Sequence, residues 1–330
     1  MKIAIDAMGG DHAPSAVLEG VQLALTEFPS VEFVLYGDNE RLQAAWDVLP
    51  ERISIISCAE SVAGDEEPKK AFRKKESSLI QSVTALKNNE VQAVVSAGNT
   101  GAFMMAGTLI SGRINGIDRP PLSPILPTKN GKGVLLLDAG SNMDAKPEHL
   151  VQYAIMGSIF SEKVLHKTKP TVGLLNVGTE NKKGTKLTKE VYPLLEASPI
   201  HFIGNVEARD IMEGVCDVVV ADGFSGNILL KSIEGTASTL LNMMKEEFTS
   251  NTRSVLGALL LKPKFKALKK KMDYAEYGGA PLLGLNQPLI KAHGSSNGLA
   301  IKNAIRQAID FASSNVIASI EETVKKEEGK

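Results

Sequence analysis

Apolar runs that end in small, polar turns recur along this chain. Residues 217–231 read D-V-V-V-A-D-G-F-S-G-N-I-L-L-K, which is a β-branched run, a turn and the start of a helical pattern. Three consecutive valines are typical of a strand buried on both faces, and Gly223 and Gly226 permit a tight turn close to a bound anion. Ligands bind at the carboxyl ends of strands in open α/β sheets, so this turn is a candidate binding site.

Five other stretches follow the same pattern, each an apolar run before a turn rich in Gly, Asn, Ser, Thr or Asp. They are residues 2–14, 91–102, 133–144, 172–185 and 289–297. One such turn often reflects helix capping alone, but six predict a shared rim of backbone N–H groups and amide side chains. The alternation of strands and helices predicts an α/β fold of Rossmann-like type with a mostly parallel sheet.

Hydrophobic periodicity predicts the remaining elements. Strands are expected at 31–36, 53–57 and 201–206, and helices at 40–48, 102–110, 147–166 and 227–248. Residues 113–129 carry four prolines without periodicity, which predicts an ordered loop or a crossover to the second half of the sheet. With 330 residues, of which 43% are hydrophobic, the chain can bury a large core. We expect one large α/β domain over residues 1–330.

Residues 254–284 interrupt the alternation, because leucines there mix with six lysines between Lys262 and Lys271. The pattern predicts a helical hairpin that projects from the fold over residues 250–285. Apolar residues interleaved with lysines suit a membrane interface, but a dimer interface accounts equally well for the leucines. The candidate contact residues are Leu256, Leu259, Leu260, Lys262 and Lys264.

A second basic segment follows Pro68 and is predicted to be helical. It contains Lys69, Lys70, Arg73, Lys74 and Lys75. Such a run is either a solvated helix face or a docking patch for an acidic partner.

Composition excludes several classes of protein. A net charge of −1 argues against bulk electrostatic binding of nucleic acid. Cys58 and Cys216 lack paired spacing, so we expect no disulfide framework and no metal site. The first residues show no signal-peptide pattern, and no apolar run approaches the roughly 18 residues of a membrane span. We expect a cytoplasmic protein.

Common catalytic motifs are missing from the turns. The first turn, A-M-G-G-D, lacks the G-x-G-x-x-G of dinucleotide enzymes, and the turn at 178–186 lacks Walker spacing. The sequence around Ser225 falls short of G-x-S-x-G, because Asn227 occupies the place of the second glycine. Covalent serine catalysis is therefore not indicated.

A rim of anion-binding turns with few nucleophiles suits a reaction in which the bound anion itself attacks. Inorganic phosphate attacking a thioester fits, since a thiolate leaves without a strong acid and the protein supplies positioning and oxyanion stabilisation. Lys183, or alternatively Lys182, is a candidate point charge for the phosphate or the developing oxyanion. Asn227 is a candidate donor to the same centre.

The other candidate phosphate- or substrate-binding residues lie in the turns. They are Asp6, Gly9, Gly10, His12, Gly98, Asn99, Thr100, Gly101, Asp138, Gly178, Thr179, Gly223, Ser225, Gly226 and His293. Asp6 and Asp138 end their strands, where either holding the turn or direct catalysis would explain them. Asn99 and Thr100 begin a helix, and capping alone would explain both.

Several of these strings together resemble the PlsX family, the phosphate acyltransferases of bacterial phospholipid synthesis. The resemblance rests on M-G-G-D-H-A-P at 8–14, S-A-G-N-T-G-A at 96–102, G-I-D-R-P at 116–120, N-V-G-T-E-N-K-K-G at 176–184 and D-G-F-S-G-N at 222–227. It extends to D-A-K-P-E-H-L-V-Q-Y at 144–153, G-N-V-E-A-R-D at 204–210 and K-A-H-G-S-S at 291–296, and so spans nearly the whole chain.

The resemblance implies reversible transfer of a fatty acyl group from acyl carrier protein to inorganic phosphate. It also implies a three-layer α/β/α fold similar to phosphotransacetylases, a homodimer, and no metal or organic cofactor. The protein would act at the inner face of the cytoplasmic membrane and pass acyl phosphate to a membrane glycerol-3-phosphate acyltransferase.

Two alternatives from other classes stand beside this interpretation. A nicotinamide-dependent dehydrogenase on a related fold lacks its glycine fingerprint here. A non-catalytic scaffold for carrier protein and membrane would have no need of six polar turns.

Overall fold

A computed structural model describes residues 1–272 and 276–328 of the chain. Within these residues the strands form two sheets, each flanked by helices, where the sequence predicted two halves of one sheet. The strands are β1 Lys2–Asp6, β2 Glu32–Gly37, β3 Ile53–Ser57, β4 Ala93–Ser96, β5 Ile125–Leu126, β6 Val134–Leu137, β7 Thr171–Asn176, β8 His201–Glu207, β9 Val218–Val220, β10 Ala280–Pro281 and β11 Leu289–Lys291.

The helices alternate with these strands for most of the chain. They are α1 Ser15–Glu27, α2 Asn39–Gln43, α3 Pro68–Ala71, α4 Ser78–Lys87, α5 Thr100–Ala106, α6 Pro147–Lys163, α7 Lys186–Ala197, α8 Gly223–Thr249, α9 Thr252–Met272, α10 Gly298–Ser313 and α11 Val316–Glu328. A π-helical turn, Gly107–Ser111, continues α5, and a 3-10 helix, Ala208–Glu213, follows β8.

The first sheet has the strand order β10-β11-β4-β1-β2-β3, and the second has the order β5-β6-β9-β7-β8. Within each sheet the pairs are parallel except at one edge, where β10 and β5 run antiparallel to their neighbours. The predicted mostly parallel α/β architecture is confirmed, and the six turns divide into two rims of three. The first rim follows β1, β4 and β11, and the second follows β6, β7 and β9.

Prolines explain why the two sheets do not merge. Pro281 lies in β10, and Pro124 and Pro127 flank β5. Proline cannot donate to a ladder and is confined to edges, so each sheet ends where it faces the other. One isolated antiparallel bridge, Leu122 with Leu282, connects the two edges.

Both faces of each sheet are buried, as the uniformly apolar strands predict. Successive residues along β6 alternate between two clusters: Leu135 and Leu137 pack on the side of α6, and Val134 and Leu136 pack on the side of α8. The largest core cluster contains side chains from both sheets and from α1, α6 and α10. The result is the three-layer α/β/α arrangement.

Some predicted boundaries were wrong for local reasons. The helix predicted at 40–48 is only α2, in which Leu42 is the one buried residue, so few apolar contacts hold a longer helix. The predicted loop 113–129 contains β5 as well as irregular backbone.

The helical hairpin begins earlier than predicted. Its arms are α8 and α9, which reverse direction at Ser250 and Asn251, and Phe248 contacts Phe265 across them with ring centroids 4.6 Å apart. Leu256, Leu259 and Leu260 therefore lie along the second arm. Part of the predicted segment, residues 273–275, lies outside the described residues.

Candidate functional site

A cavity of about 730 Å³ lies where the two rims face each other. Thr100 and Gly101 line it from the first rim, after β4. The second rim contributes Asn227 and residues 140–142, which follow β9 and β6. Of the predicted site residues, the structure brings Thr100, Gly101 and Asn227 together in this space.

Asp138 shapes the turn after β6. Its buried carboxylate accepts hydrogen bonds from the backbone N–H of Ser141 at 3.1 Å, of Asn142 at 2.6 Å and of Leu122 at 2.9 Å. Burial raises the pKa of Asp138, and these donors oppose the shift. The Asp138 carboxylate fixes the loop whose residues line the cavity. Holding this turn is therefore enough to explain why an aspartate ends β6.

Close backbone contacts position Asn227 at the cavity wall. A Cβ on Gly226 would lie 1.9 Å from the carbonyl oxygen of Asp138, and a Cβ on Gly140 would lie 3.3 Å from the side chain of Asn227. Only glycine allows the first turn of α8 to approach the β6 turn this closely. Gly223 packs in the same way against the backbone of Asn142.

Ser225 is occupied as part of a helix cap. Asp222 is the N-cap of α8, and its carboxylate accepts from the Ser225 backbone N–H at 2.9 Å and from the Ser225 hydroxyl at 2.8 Å. The hydroxyl thus satisfies the cap and is not one of the groups that line the cavity.

Two arginines that were not among the predicted site residues also line the cavity. Arg113 donates to the backbone carbonyl of Asp118, and Arg119 is exposed at the next position. Both lie in the proline-rich segment that lacked periodicity. In the sequence, Arg119 could have been found from the string G-I-D-R-P, one of those that resemble the PlsX family.

In the first rim, the turns after β1 and β4 pack tightly against the side chain of Asp6. This buried carboxylate accepts from the hydroxyls of Ser78 and Ser96, each at 2.6 Å. A Cβ on Gly9 would lie 2.6 Å from the same carboxylate and 2.6 Å from the backbone nitrogen of Gly98. Burial raises the pKa of Asp6. These residues hold the β1 and β4 turns together and do not line the cavity.

Asn99 is also committed to structure. Its side-chain amide donates to the carbonyls of Ala63, Gly64 and Glu66, and its carbonyl oxygen caps α5 by accepting from the N–H of Ala102 at 2.9 Å. The capping interpretation of Asn99 is confirmed, with the addition that it anchors residues 63–66.

Lys291 is a buried cation that the sequence interpretation did not select. Its ammonium group donates to the carbonyl of Ala97 at 3.2 Å and to that of Ala292. Burial lowers the pKa of Lys291 to about 8, although Asp6 and Asp11 oppose the shift. Lys291 and the predicted residue His293 line a second, smaller cavity of about 280 Å³.

The turn after β7 holds the predicted lysines at the edge of the second rim. Lys183 is exposed and pairs with Glu180 at 2.8 Å, while Gly178 packs against the Lys183 side chain. Lys182 and Thr179 are exposed. Residues of this turn line neither cavity, although β7 lies next to β9 in the sheet.

Three other predicted residues of the first rim, His12, Gly10 and His293, do not line the large cavity. His12 is exposed and its backbone carbonyl accepts from Ala16 and from the Ser15 hydroxyl. Gly10 adopts a φ of +105° and a Cβ there would touch Ala97, so its role is to let the turn pack. His293 contacts Ser295 through Nδ1 at 2.8 Å.

Residues 1–272 and 276–328 contain no cluster of three or more His, Cys, Asp or Glu side chains that could hold a metal ion. None of the helices in these ranges is both long and apolar enough to cross a membrane.

The fold is that of the phosphotransacetylase-like α/β proteins. A phosphotransacetylase from Streptococcus pyogenes superimposes with a TM-score of 0.62 at 15% identity over 94% of each chain. A 4-hydroxythreonine-4-phosphate dehydrogenase from Klebsiella pneumoniae gives a TM-score of 0.52 at 15% identity, over 95% of this chain and 99% of that one. At these identities the likeness establishes the fold alone.

Sequence similarity identifies the family. The family described as "Fatty acid synthesis protein" matches residues 1–319. A relative from Bacillus pumilus, named "Phosphate acyltransferase", is 54% identical over 328 residues, which are 99% of this chain and 98% of that protein. The chain belongs to this family, as the motifs predicted, and is an acyltransferase enzyme of lipid biosynthesis.

Proposed function

We propose that this enzyme transfers a fatty acyl group reversibly from acyl carrier protein to inorganic phosphate. The observation that carries the proposal is the large cavity, which joins Thr100 of one rim and Asn227 of the other beside two arginines. Guanidinium groups match the geometry and charge of phosphate. The acyl phosphate formed is a precursor for phospholipid synthesis.

The bound phosphate attacks directly in this proposal. A phosphate oxygen forms a bond to the thioester carbonyl carbon, the carbon–sulfur bond breaks, and the carrier thiolate leaves and takes a proton from solvent. Thiolates leave readily because thiol pKa values are near 8.5. Asn227 donates to the developing oxyanion, and preorganised donors of this kind provide most of the stabilisation in acyl transfer.

The Ser225 hydroxyl and the two cysteine thiols are unsuited to attack the thioester. Ser225 serves the helix cap. Cys58 and Cys216 are buried, and burial raises the pKa of both thiols to about 12. A thiol that stays protonated is a poor nucleophile, which favours phosphate as the nucleophile.

Lys183 remains our candidate for holding phosphate, with Lys182 as the alternate. Their turn follows β7, and the neighbouring parallel strand β9 leads into the helix start that contains Asn227, so both segments project from the same edge of the second sheet. The Lys183–Glu180 pair is exposed, and such pairs contribute little to stability. Breaking it to bind phosphate therefore costs little free energy.

The basic segment after Pro68 is the proposed docking site for the acidic carrier protein. Pro68 lines the large cavity, and Lys69, Lys70 and Arg73 beyond it are exposed. A carrier bound there would present its thioester at the cavity entrance, and opposite charges would accelerate the encounter.

The hairpin is the proposed contact with the inner face of the cytoplasmic membrane. Leu256, Leu259 and Leu260 are exposed by 60%, 59% and 84%, and Lys262 and Lys264 follow them on α9. Exposed leucines beside lysines suit an anionic lipid surface. There the product would pass to a membrane glycerol-3-phosphate acyltransferase.

A homodimer is proposed through the same long helices. Phe224 and Ile228 are one turn apart on α8 and more than half exposed, which is typical of an apolar face covered by a second copy. Analytical ultracentrifugation would detect a monomer if this assignment is wrong.

The transfer itself is tested by incubating the enzyme with palmitoyl-acyl carrier protein with and without inorganic phosphate. Free carrier thiol and acyl phosphate are followed together. The proposal predicts that both appear in equal amounts and only with phosphate. Thiol release that ignores phosphate would indicate a thioesterase and contradict the proposal.

A further inference from the structure

The smaller cavity is a groove along one side of α8. The helix forms one wall with Ile233, Ala237 and Leu241, and the edge strands β5 and β10 form the other at the junction of the two sheets. Glu234, Lys291 and His293 also line this cavity, but beyond Glu234 the residues that α8 contributes are Ala237, Ser238 and Leu241, none of which is charged. We call this cavity the apolar groove.

The apolar groove adjoins the large cavity. Thr100, Leu122 and Leu230 line both spaces. Leu230 lies three residues after Asn227 on α8, which is about one helical turn. For a molecule whose reacting end lies at Asn227, the groove therefore begins within about one helical turn, beside Leu230.

The groove is comparable in length to an extended hydrocarbon chain. Its lining on α8 runs from Leu230 to Leu241, and at 1.5 Å per residue this spans about 16 Å. The direction is away from Asn227 and toward the hairpin turn.

We propose that the apolar groove binds the acyl chain of the substrate and that the small side chain of Ala237 lets long chains pass along α8. The inference rests on the proposed function, because it assigns the acyl chain of that same reaction. Moving the chain from water to an apolar wall is favourable in proportion to the apolar area covered. A chain that reaches past Ala237 gains more of this burial than a short one.

Chain-length preference in matched variants tests the groove. Ala237→Phe fills it midway, whereas Thr239→Phe places the same ring on an exposed position about 200° around the helix. With Ala237→Phe, the ratio of kcat/KM for palmitoyl-acyl carrier protein over octanoyl-acyl carrier protein should fall about tenfold, since one blocked pocket discriminates by this order. Thr239→Phe should keep the wild-type ratio, and an unchanged ratio in Ala237→Phe would overturn the proposal.

A binding measurement separates failure of the groove from failure of the transferase. The fluorescence of cis-parinaric acid reports insertion of a long chain into an apolar site and needs no turnover. Wild type and Thr239→Phe should bind the probe, and Ala237→Phe should not. Equal binding by all three proteins, or binding by none, would reject the groove even if phosphate-dependent transfer were found. Loss of binding in Ala237→Phe alone would support the groove even if transfer were absent.

Discussion

The turns that contain Asn99 and Asn227 follow the same sequence pattern but do different work. Each asparagine lies at a helix start after a buried parallel strand, one in each sheet. The side-chain amide of Asn99 donates to three backbone carbonyls, and its oxygen caps a helix. Asn227 lies at the wall of the large cavity, against Gly140. A polar turn at a sheet edge is thus a candidate site only where no neighbouring backbone takes up its side chain.

The largest loss of stability should follow from disturbing the close backbone contact that positions Asn227. Gly226→Ala would place a Cβ 1.9 Å from the Asp138 carbonyl, so the backbone must shift. We expect a loss of about 4 kcal/mol in the free energy of unfolding, at the upper end for overpacking. Gly235→Ala, also in α8 but with open space around it, should instead stabilise by about 0.5 to 1 kcal/mol. Urea denaturation measures both, and equal stability of the two variants would contradict the contact.

Lys291 should make stability depend on pH in the alkaline range. Burial lowers its pKa in the folded protein to about 8, below its usual value of 10.5. Between these values the unfolded chain binds more protons than the folded one, so the free energy of unfolding should rise with pH, by about 3 kcal/mol at most.

Lys291→Met should remove this rise, because methionine does not titrate. Urea denaturation of both proteins at several pH values from about 8 to about 10 covers the window. The same slope in the variant and in wild type would show that Lys291 is not the group responsible.

The two asparagines provide the direct test of the comparison. Asn227→Ala should reduce turnover about 100-fold, as for loss of one oxyanion donor, with little change in thermal stability. Asn99→Ala should instead destabilise the protein by about 2 kcal/mol, through loss of a cap and of buried hydrogen bonds. Turnover and melting temperature are measured for each variant. The comparison fails if Asn227→Ala unfolds early while retaining full turnover.

The smallest change in stability should come from the exposed lysine of the second rim. Lys183→Ala breaks an exposed pair with Glu180 and should leave the midpoint of urea denaturation almost unchanged. If Lys183 holds phosphate, the KM for phosphate should rise about tenfold, the loss of one charged contact. Lys186→Ala, which breaks the nearby exposed pair with Glu190, is the control. Equal phosphate KM values in both variants would remove Lys183 from the site.

The sequence predicted the α/β fold and the strand-turn-helix units, because apolar runs and turn glycines are local signals. Val134–Leu137 and Val218–Val220 are strands where the pattern predicted them. The division into two sheets was not predictable in this way. It depends on how Pro281 and the prolines beside β5 end two ladders that are distant in sequence.

The candidate site was only partly predictable. Thr100 and Asn227 were selected from their turns, but the two arginines lie in a segment without periodicity. The direction of a side chain depends on its spatial neighbours, and the carbonyls that bind Asn99 come from residues more than 30 positions earlier. Sequence pattern identifies a turn but does not reveal which of its side chains faces a cavity.

The central claim is that bound phosphate attacks the thioester without an acyl-enzyme intermediate. Rapid mixing of palmitoyl-acyl carrier protein with an equal amount of enzyme tests it, with carrier thiol measured by rapid quench in the presence and absence of phosphate. We predict no thiol release without phosphate, and stoichiometric thiol and acyl phosphate with it. A burst of one equivalent of thiol without phosphate would reveal an acyl-enzyme and contradict direct attack.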